Sequence, residues 1–219
     1  MMKFYFNKFG YVSVIDIGGT KTYWNIVPKE ILENYKVEIT CVNLPKADLP
    51  PNDDIFTFAN GDGCNLSEFR DKQFHIAHSN SVIEHVGDWG RVVQFSNEIK
   101  RVADSYFVQT PNYWFPLEPH WRLPFIHWLP KPVECWCLMH IRSPIQETHR
   151  PVQIVKSTHL QPPIPAFLGK CKTIDEAMER VEFARLLSKG MFKRLFPEAT
   201  IITERYMLLP KSFVAVSHR

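Results

Sequence analysis

The chain has 219 residues, 45% of them apolar, which suits one α/β domain with a full core and leaves little for a second. Its formal net charge is +3, and with no long basic run it implies no nucleic-acid partner. Its five cysteines are odd in number and irregularly spaced, which fits a reducing cytoplasm better than a disulfide framework, and no segment reaches the ~18 apolar residues of a spanning helix.

Met1 to Gly10 carries Lys3 and Lys8 and has neither an apolar run nor a small-residue cleavage site, so no secretory leader is expected. A strand is expected almost at once, over 12–17, with no helix before it. It ends at Asp16-Ile17-Gly18-Gly19-Thr20. A helix is predicted from about Thr22 to Tyr35, interrupted or delayed by Pro28. Val37 to Leu44 reads as a second buried strand, the proline-bearing tract from Pro45 to Asp54 as loop, and Ile55 to Ala59 as a third strand ending at Asn60-Gly61-Asp62-Gly63. Phe74 to His78 is the fourth strand. Val92, Val93, Phe95, Ile99 and Val102 fall near helical spacing and predict a helix over about 89–103, followed by a fifth strand at Tyr106 to Gln109. From Pro111 to Pro165 the pattern changes to a proline-rich tract holding Trp114, Trp121, Trp128 and Trp136. It is too apolar for a plain solvent loop and too interrupted for one helix, so an insert over the sheet edge is expected. Ile174 to Leu195 reads as a single helix, and Ala199 to Met207 with Ser212 to Ser217 as a closing hairpin. Alternating strands and helices with a terminal hairpin argue for a mainly parallel sheet with one antiparallel strand.

Two of these strands end in small and polar residues: the first at Asp16-Ile17-Gly18-Gly19-Thr20, and the fourth at Ser79-Asn80-Ser81-Val82-Ile83-Glu84-His85-Val86. An open α/β sheet presents a ligand site at such carboxyl edges. Taken alone, Asp16 to Thr20 resembles the phosphate-binding turn of the actin-like sugar kinases of the repressor–ORF–kinase family. Those kinases need a β-hairpin straight after the turn, a catalytic aspartate and a second glycine-rich turn, and the rest of the chain supplies none of them. The ordered set of Asp16-Gly18, Gly61-Asp62, Ser79 to Val86 and the tail from Leu195 through Glu204-Arg205 to Lys211-Ser212 resembles the class I S-adenosylmethionine-dependent methyltransferases, in their small-molecule branch.

The resemblance implies a Rossmann-like α/β fold: a seven-stranded sheet of order 3-2-1-4-5-7-6, strand seven antiparallel, with helices on both faces. It makes residues 1–219 one domain, with 111–165 as a substrate lid. It implies S-adenosyl-L-methionine as cofactor, held by Asp16, Gly18, Gly19, Thr20, Asn43, Leu44, Asp62, Gly63, Cys64, Ser79, Asn80, Ser81 and His85. In that set Asn43 takes the ribose hydroxyls, Asp62 accepts from the adenine amine, and the carbonyls near Ser79 and Asn80 receive the ammonium. Thr20 and Thr22 stand where the family carries glycines and Asn43 where it carries an acid, so a weaker cofactor site, or a non-catalytic partner protein with the cofactor fold, is an alternative. An Asn43→Asp change is expected to retain or improve binding.

His85 is a candidate cofactor contact or general base, with a packed histidine beside a helix-capping Glu84 as the alternative. His120 is a candidate base for the acceptor, and Asn112, Trp114 and His120 are the candidate substrate contacts. His120, His127, Cys135, Cys137 and His140 fit no zinc spacing, and no metal is expected. The expected partner is a small-molecule acceptor, such as a sugar, lipid or natural-product intermediate, methylated on oxygen or nitrogen. A transient membrane contact through the aromatic insert is compatible with its composition.

Overall fold

A computed structural model describes residues 1–44, 49–141 and 170–217. In chain order its elements are α1 (Met2–Phe9), β1 (Val12–Ile17), α2 (Lys29–Asn34), β2 (Val37–Asn43), β3 (Phe56–Asn60), β4 (Phe74–Asn80), α3 (Trp89–Val102), β5 (Ala103–Pro111), α4 (Lys131–His140), α5 (Ile174–Glu182), α6 (Lys189–Leu195), β6 (Thr200–Tyr206) and β7 (Leu209–Ser217). Short 3₁₀ turns lie at Tyr23–Ile26, Ile83–His85 and Ile126–Trp128.

The strands form one seven-stranded sheet of order β3-β2-β1-β4-β5-β7-β6. The first five pair in parallel, and β7 runs antiparallel to β5 and β6. β1 and β4 pair without being consecutive in the chain, so the chain reverses its winding direction there and opens a crevice at their carboxyl ends. Side chains alternate across the sheet. Ile15, Ile17, Val42 and Ala77 join Phe95, Ile99 and Phe192 on one face. Val12, Val14, Ile39 and Cys41 join Tyr5, Trp24 and Leu32 on the other. The spacing of Val92, Phe95, Ile99 and Val102 makes α3 amphipathic, and all four are fully buried. Asp88 starts that helix by accepting from the Arg91 N–H at 2.9 Å, an N-cap.

Three sequence expectations change. A helix does precede β1: α1 buries Tyr5, whose hydroxyl bonds Ser105 Oγ at 2.7 Å, and closes on Gly10 at φ 78°, a left-handed C-cap. The predicted 22–35 helix becomes a 3₁₀ turn and α2 on either side of Pro28, and the predicted 174–195 helix becomes α5 and α6. That second break has a tertiary cause. The Arg185 N–H donates to the Glu84 carbonyl and Leu187 forms a β-bridge with Asn112, so 183–187 is drawn out of helix before Ser188 caps α6.

The described part of the insert has a core of its own. Trp121, Leu123, Ile126 and Leu138 pack with Ala177 and Phe183, so this layer reaches past the expected boundary at 165. Residues 142–165, the remainder of the expected lid, lie outside the described residues, as do 45–48 of the loop expected over 45–54. Among the described residues no helix is long and apolar enough to cross a membrane.

Candidate active site

β1 delivers Asp16 to the face that carries Trp24, because it alternates with Ile15 and Ile17. Its carboxylate accepts the Trp24 indole N–H at 2.7 Å and bonds His78 Nδ1 at 2.7 Å. His78 is the β4 residue directly opposite it. Only 1% of Asp16 is exposed. The residue expected to meet the cofactor is thus an internal pin that fixes the turn after β1. His78, held between Asp16 and the Phe107 ring, escaped the sequence reading, which ended strand four on it without giving it a role.

Gly19 lies directly over that carboxylate. A Cβ here would sit 1.8 Å from Asp16 Oδ2, and one on Gly18, itself at φ 75°, would sit 2.5 Å from Val82 Cγ2. Backbone alone therefore occupies the space between β1 and the segment after β4. At the end of β2, Asn43 donates its amide to the Gly19 carbonyl at 3.1 Å, while its Oδ1 is buried with no hydrogen-bond partner among the described residues. Leu44 follows directly, half-buried. Thr20 Oγ accepts from the Tyr23 N–H. The β-hairpin that the sugar kinases need, and that the rest of the sequence does not supply, does not follow this turn: a 3₁₀ turn, α2 and then a parallel strand do.

Asp62 follows β3, and both of its oxygens take Arg91 Nη2, at 2.9 and 2.7 Å, while Oδ1 also accepts the Cys64 N–H. The acid expected to receive an adenine amine is therefore already paired, with Gly63 and Cys64 forming the turn beside it. Ser79 donates to the Ile17 carbonyl, Asn80 ends β4 opposite Gln109, and Ser81 at φ 55° donates to the Gln109 side chain. Asn112 is consumed structurally, donating to the Pro210 carbonyl and accepting from the Trp114 N–H. Trp114 is 63% exposed and stands against Trp128.

His85 and His120, 35 residues apart, meet Nε2 to Nε2 at 3.2 Å. His85 Nδ1 bonds the Phe183 carbonyl at 3.1 Å, and a carbonyl only accepts, so that nitrogen carries the proton. His120 Nδ1 bonds Glu118 at 2.5 Å, and the other oxygen of Glu118 accepts the N–H groups of His120 and Trp121. Glu84 is fully buried; the Thr110 hydroxyl donates to its Oε2, its Oε1 has no partner among the described residues, and Oε1 lies 4.0 Å from His85 Nε2. Burial lifts the Glu84 carboxyl to about 7, and burial together with the His120 charge pushes His85 down to about 3. Burial works to lower His120 too, but its bond to Glu118 and the charges of Glu118 and Glu84 leave it above its ordinary value. Of the two rings, His120 is the one whose charged form is favoured by its neighbours, and neutral His85 faces it with a lone pair.

Near this cluster Glu134, in the first turn of α4, is raised to about 7 by burial and then by the Glu118 charge. The folded carboxyl keeps its proton up to about pH 7, whereas an unfolded one releases it near 4.5. Stability is therefore lost as pH rises through that window. Glu134→Gln should melt higher than the parent at about pH 8, and the gap should close below about pH 4.5. Equal melting temperatures throughout would mean that the carboxyl ionises freely.

No family model matches the chain. Two uncharacterized proteins of Mycobacterium tuberculosis are 25% identical to it over 136 residues, 61% of this chain and 46% of theirs, so the chain spans less than half the length of the curated relatives it matches. Among solved structures, a protein from Rhodobacter sphaeroides provisionally assigned to the zinc-dependent alcohol dehydrogenases is 12% identical, covers 100% of this chain and 88% of its own, and gives a TM-score of 0.52. A S-adenosylmethionine-dependent methyltransferase from Methanosarcina mazei is 13% identical over 94% of this chain and 91% of its own, with a TM-score of 0.47. The sheet order and its single antiparallel strand decide the architecture. This is the class I methyltransferase fold. At these identities the likeness is one of fold, and the activity has to be argued from this chain's own site.

Proposed function

We propose that the chain is a S-adenosylmethionine-dependent methyltransferase acting on a small-molecule acceptor. The observation that carries this reading is Asn43 Oδ1, a buried acceptor without a partner at the carboxyl end of β2, where the cofactor of this fold presents a hydroxyl pair. A buried polar atom left unpaired costs about 1–3 kcal/mol, and a ribose hydroxyl would satisfy it. The glycine cradle supports the same reading, because Gly18 and Gly19 leave only backbone against the crevice. The bound cofactor supplies an electrophilic methyl on a sulfonium. Asn43 holds the sugar, the glycine turn gives backbone contact to the amino-acid part, and the carbonyls at the end of β4 receive the ammonium. The His85–His120–Glu118 cluster, where the insert meets the segment after β4, forms the acceptor side.

The test is ligand-induced stabilisation. S-adenosylhomocysteine should raise the melting temperature, because a ligand that binds only the folded state stabilises it by mass action, whereas ATP with magnesium should leave it unchanged. A shift with ATP alone would favour the sugar-kinase reading. A folded protein that ignores both would favour a non-catalytic partner.

Asn43 gives a sharper result. Asn43→Ala should weaken S-adenosylhomocysteine binding by about 1–3 kcal/mol. The geometry argues against the expectation that Asn43→Asp would retain or improve it. The amide now donates to the Gly19 carbonyl, and a carboxylate there would set two acceptors against each other. Asn43→Asp should therefore bind less tightly than the parent by calorimetry. Parental affinity in both variants would remove Asn43 from the cofactor site.

A further inference from the structure

We propose that Glu84, His85 and His120 bind one divalent transition-metal cation, with Glu118 and the Phe183 carbonyl aiming the two imidazoles. One ligand atom from each of the three side chains lies within 4.8 Å of the other two. The two Nε2 atoms are 3.2 Å apart, and two ligands each about 2.0–2.1 Å from a tetrahedral cation stand roughly 3.3 Å from one another.

The hydrogen bonds around the cluster point the same way. Each imidazole commits Nδ1 to an acceptor, Glu118 for His120 and the Phe183 carbonyl for His85. That is the outer support that fixes the tautomer of a metal-binding histidine. It turns both Nε2 atoms inward, where two lone pairs would repel unless a proton or a cation lies between them. Glu84 adds a second, independent observation: its Oε2 is taken by Thr110, while Oε1 is fully buried, unpartnered among the described residues and 4.0 Å from His85 Nε2. A shared proton would satisfy the two rings but leave that oxygen orphaned. A cation satisfies all three atoms, and the carboxylates of Glu84 and Glu118 balance its charge.

Two imidazoles and one carboxylate suit zinc, cobalt, iron or manganese rather than calcium or magnesium, which prefer all-oxygen sites. Three protein ligands leave a coordination position open, as in catalytic rather than structural centres. On the methyl-transfer reading, on which only this role depends, that position polarises an acceptor oxygen. The sequence expectation of no metal came from spacings within the insert. The ligands proposed here combine one insert residue with two that follow β4.

Full-length protein stripped with a chelator is titrated with zinc, cobalt, manganese or magnesium, and bound metal is counted by mass spectrometry. One equivalent of zinc or cobalt should bind, magnesium should not compete, and cobalt should give the visible absorption of a low-coordinate site. Glu84→Gln and His120→Gln should each weaken binding by more than about 100-fold, and Glu118→Gln by about 10-fold or more. His140→Gln, at an exposed ring bonded to the Trp136 carbonyl, should bind as the parent does. Should a variant fail to fold, nitrogen-15 NMR of the parent still decides: zinc should move the Nε2 signals of His85 and His120 and leave their Nδ1 protons in place. Failure of the folded, stripped parent to bind, or binding that survives both Glu84→Gln and His120→Gln, overturns the proposal. S-adenosylhomocysteine calorimetry on the same samples separates the two ideas. Metal binding without cofactor binding leaves this site standing and removes the methyl-transfer reading, and cofactor binding without metal does the reverse.

Discussion

Gly19→Ala should destabilise the protein by about 3–5 kcal/mol, a large fraction of a typical domain's stability. The new methyl would lie 1.8 Å from Asp16 Oδ2, so the carboxylate must move. In a free side chain that would cost little, but Asp16 is held by the Trp24 indole and by His78. Moving it leaves two buried donors unpaired, at about 1–3 kcal/mol each, in a core that overpacking already strains. Urea denaturation followed by tryptophan fluorescence would measure the loss, and S-adenosylhomocysteine affinity should fall with it. An alanine variant as stable as the parent, with unchanged fluorescence, would mean that Asp16 is not pinned as described.

Glu118→Ala should be comparably damaging. One carboxylate serves the His120 ring and the backbone N–H groups of His120 and Trp121. Its removal takes the counter-charge from the buried His120 ring and one acceptor from the His120 and Trp121 N–H groups. Breaking a buried pair on one side costs about 3–5 kcal/mol, which in a chain of this size lowers the melting temperature by about 6–20 °C. Glu118→Gln keeps an acceptor and should lose less. If alanine and glutamine behave alike and both stay close to the parent, the loop around His120 is held by its packing on Trp121 and Phe183 instead.

The two variants probe different kinds of information. Gly19 is legible in the sequence, because an acid followed by paired glycines at a strand end marks a turn where backbone must approach something closely. What it approaches is not legible: the nearest group is the chain's own Asp16, locked by a tryptophan eight residues on and by a histidine 62 residues on. Asp62 repeats the pattern, since a polar turn after β3 was expected but its capture by Arg91, from α3, was not. The first helix was missed because Met2 to Phe9 is only eight residues long, with no capping side chain and no acid at its start, and only the Gly10 cap signals where it ends. The continuous helix predicted over 174–195 failed for the opposite reason: its local pattern is sound, but backbone contacts with Glu84 and Asn112 outweigh helix propensity.

By itself the sequence determined the strands of the sheet. Period-two and uninterrupted apolar runs, the turn residues between them and the amphipathic spacing of α3 are local properties, and they mark the strands and the terminal hairpin, whereas the order of the seven strands was implied by the resemblance to the methyltransferases and is what the structure shows. The sequence also located the two carboxyl edges that frame the crevice. Only the tertiary structure decided what stands in that crevice. Tautomers, orphaned acceptors and shifted carboxyls depend on distances between segments far apart in the chain. Thus His85 became a neutral ring facing His120 because the segment after β4, the insert and the segment between α5 and α6 converge there, leaving Glu84 Oε1 without a partner among the described residues. Electrostatics in a buried site is set by such neighbours, and no spacing along the chain encodes them.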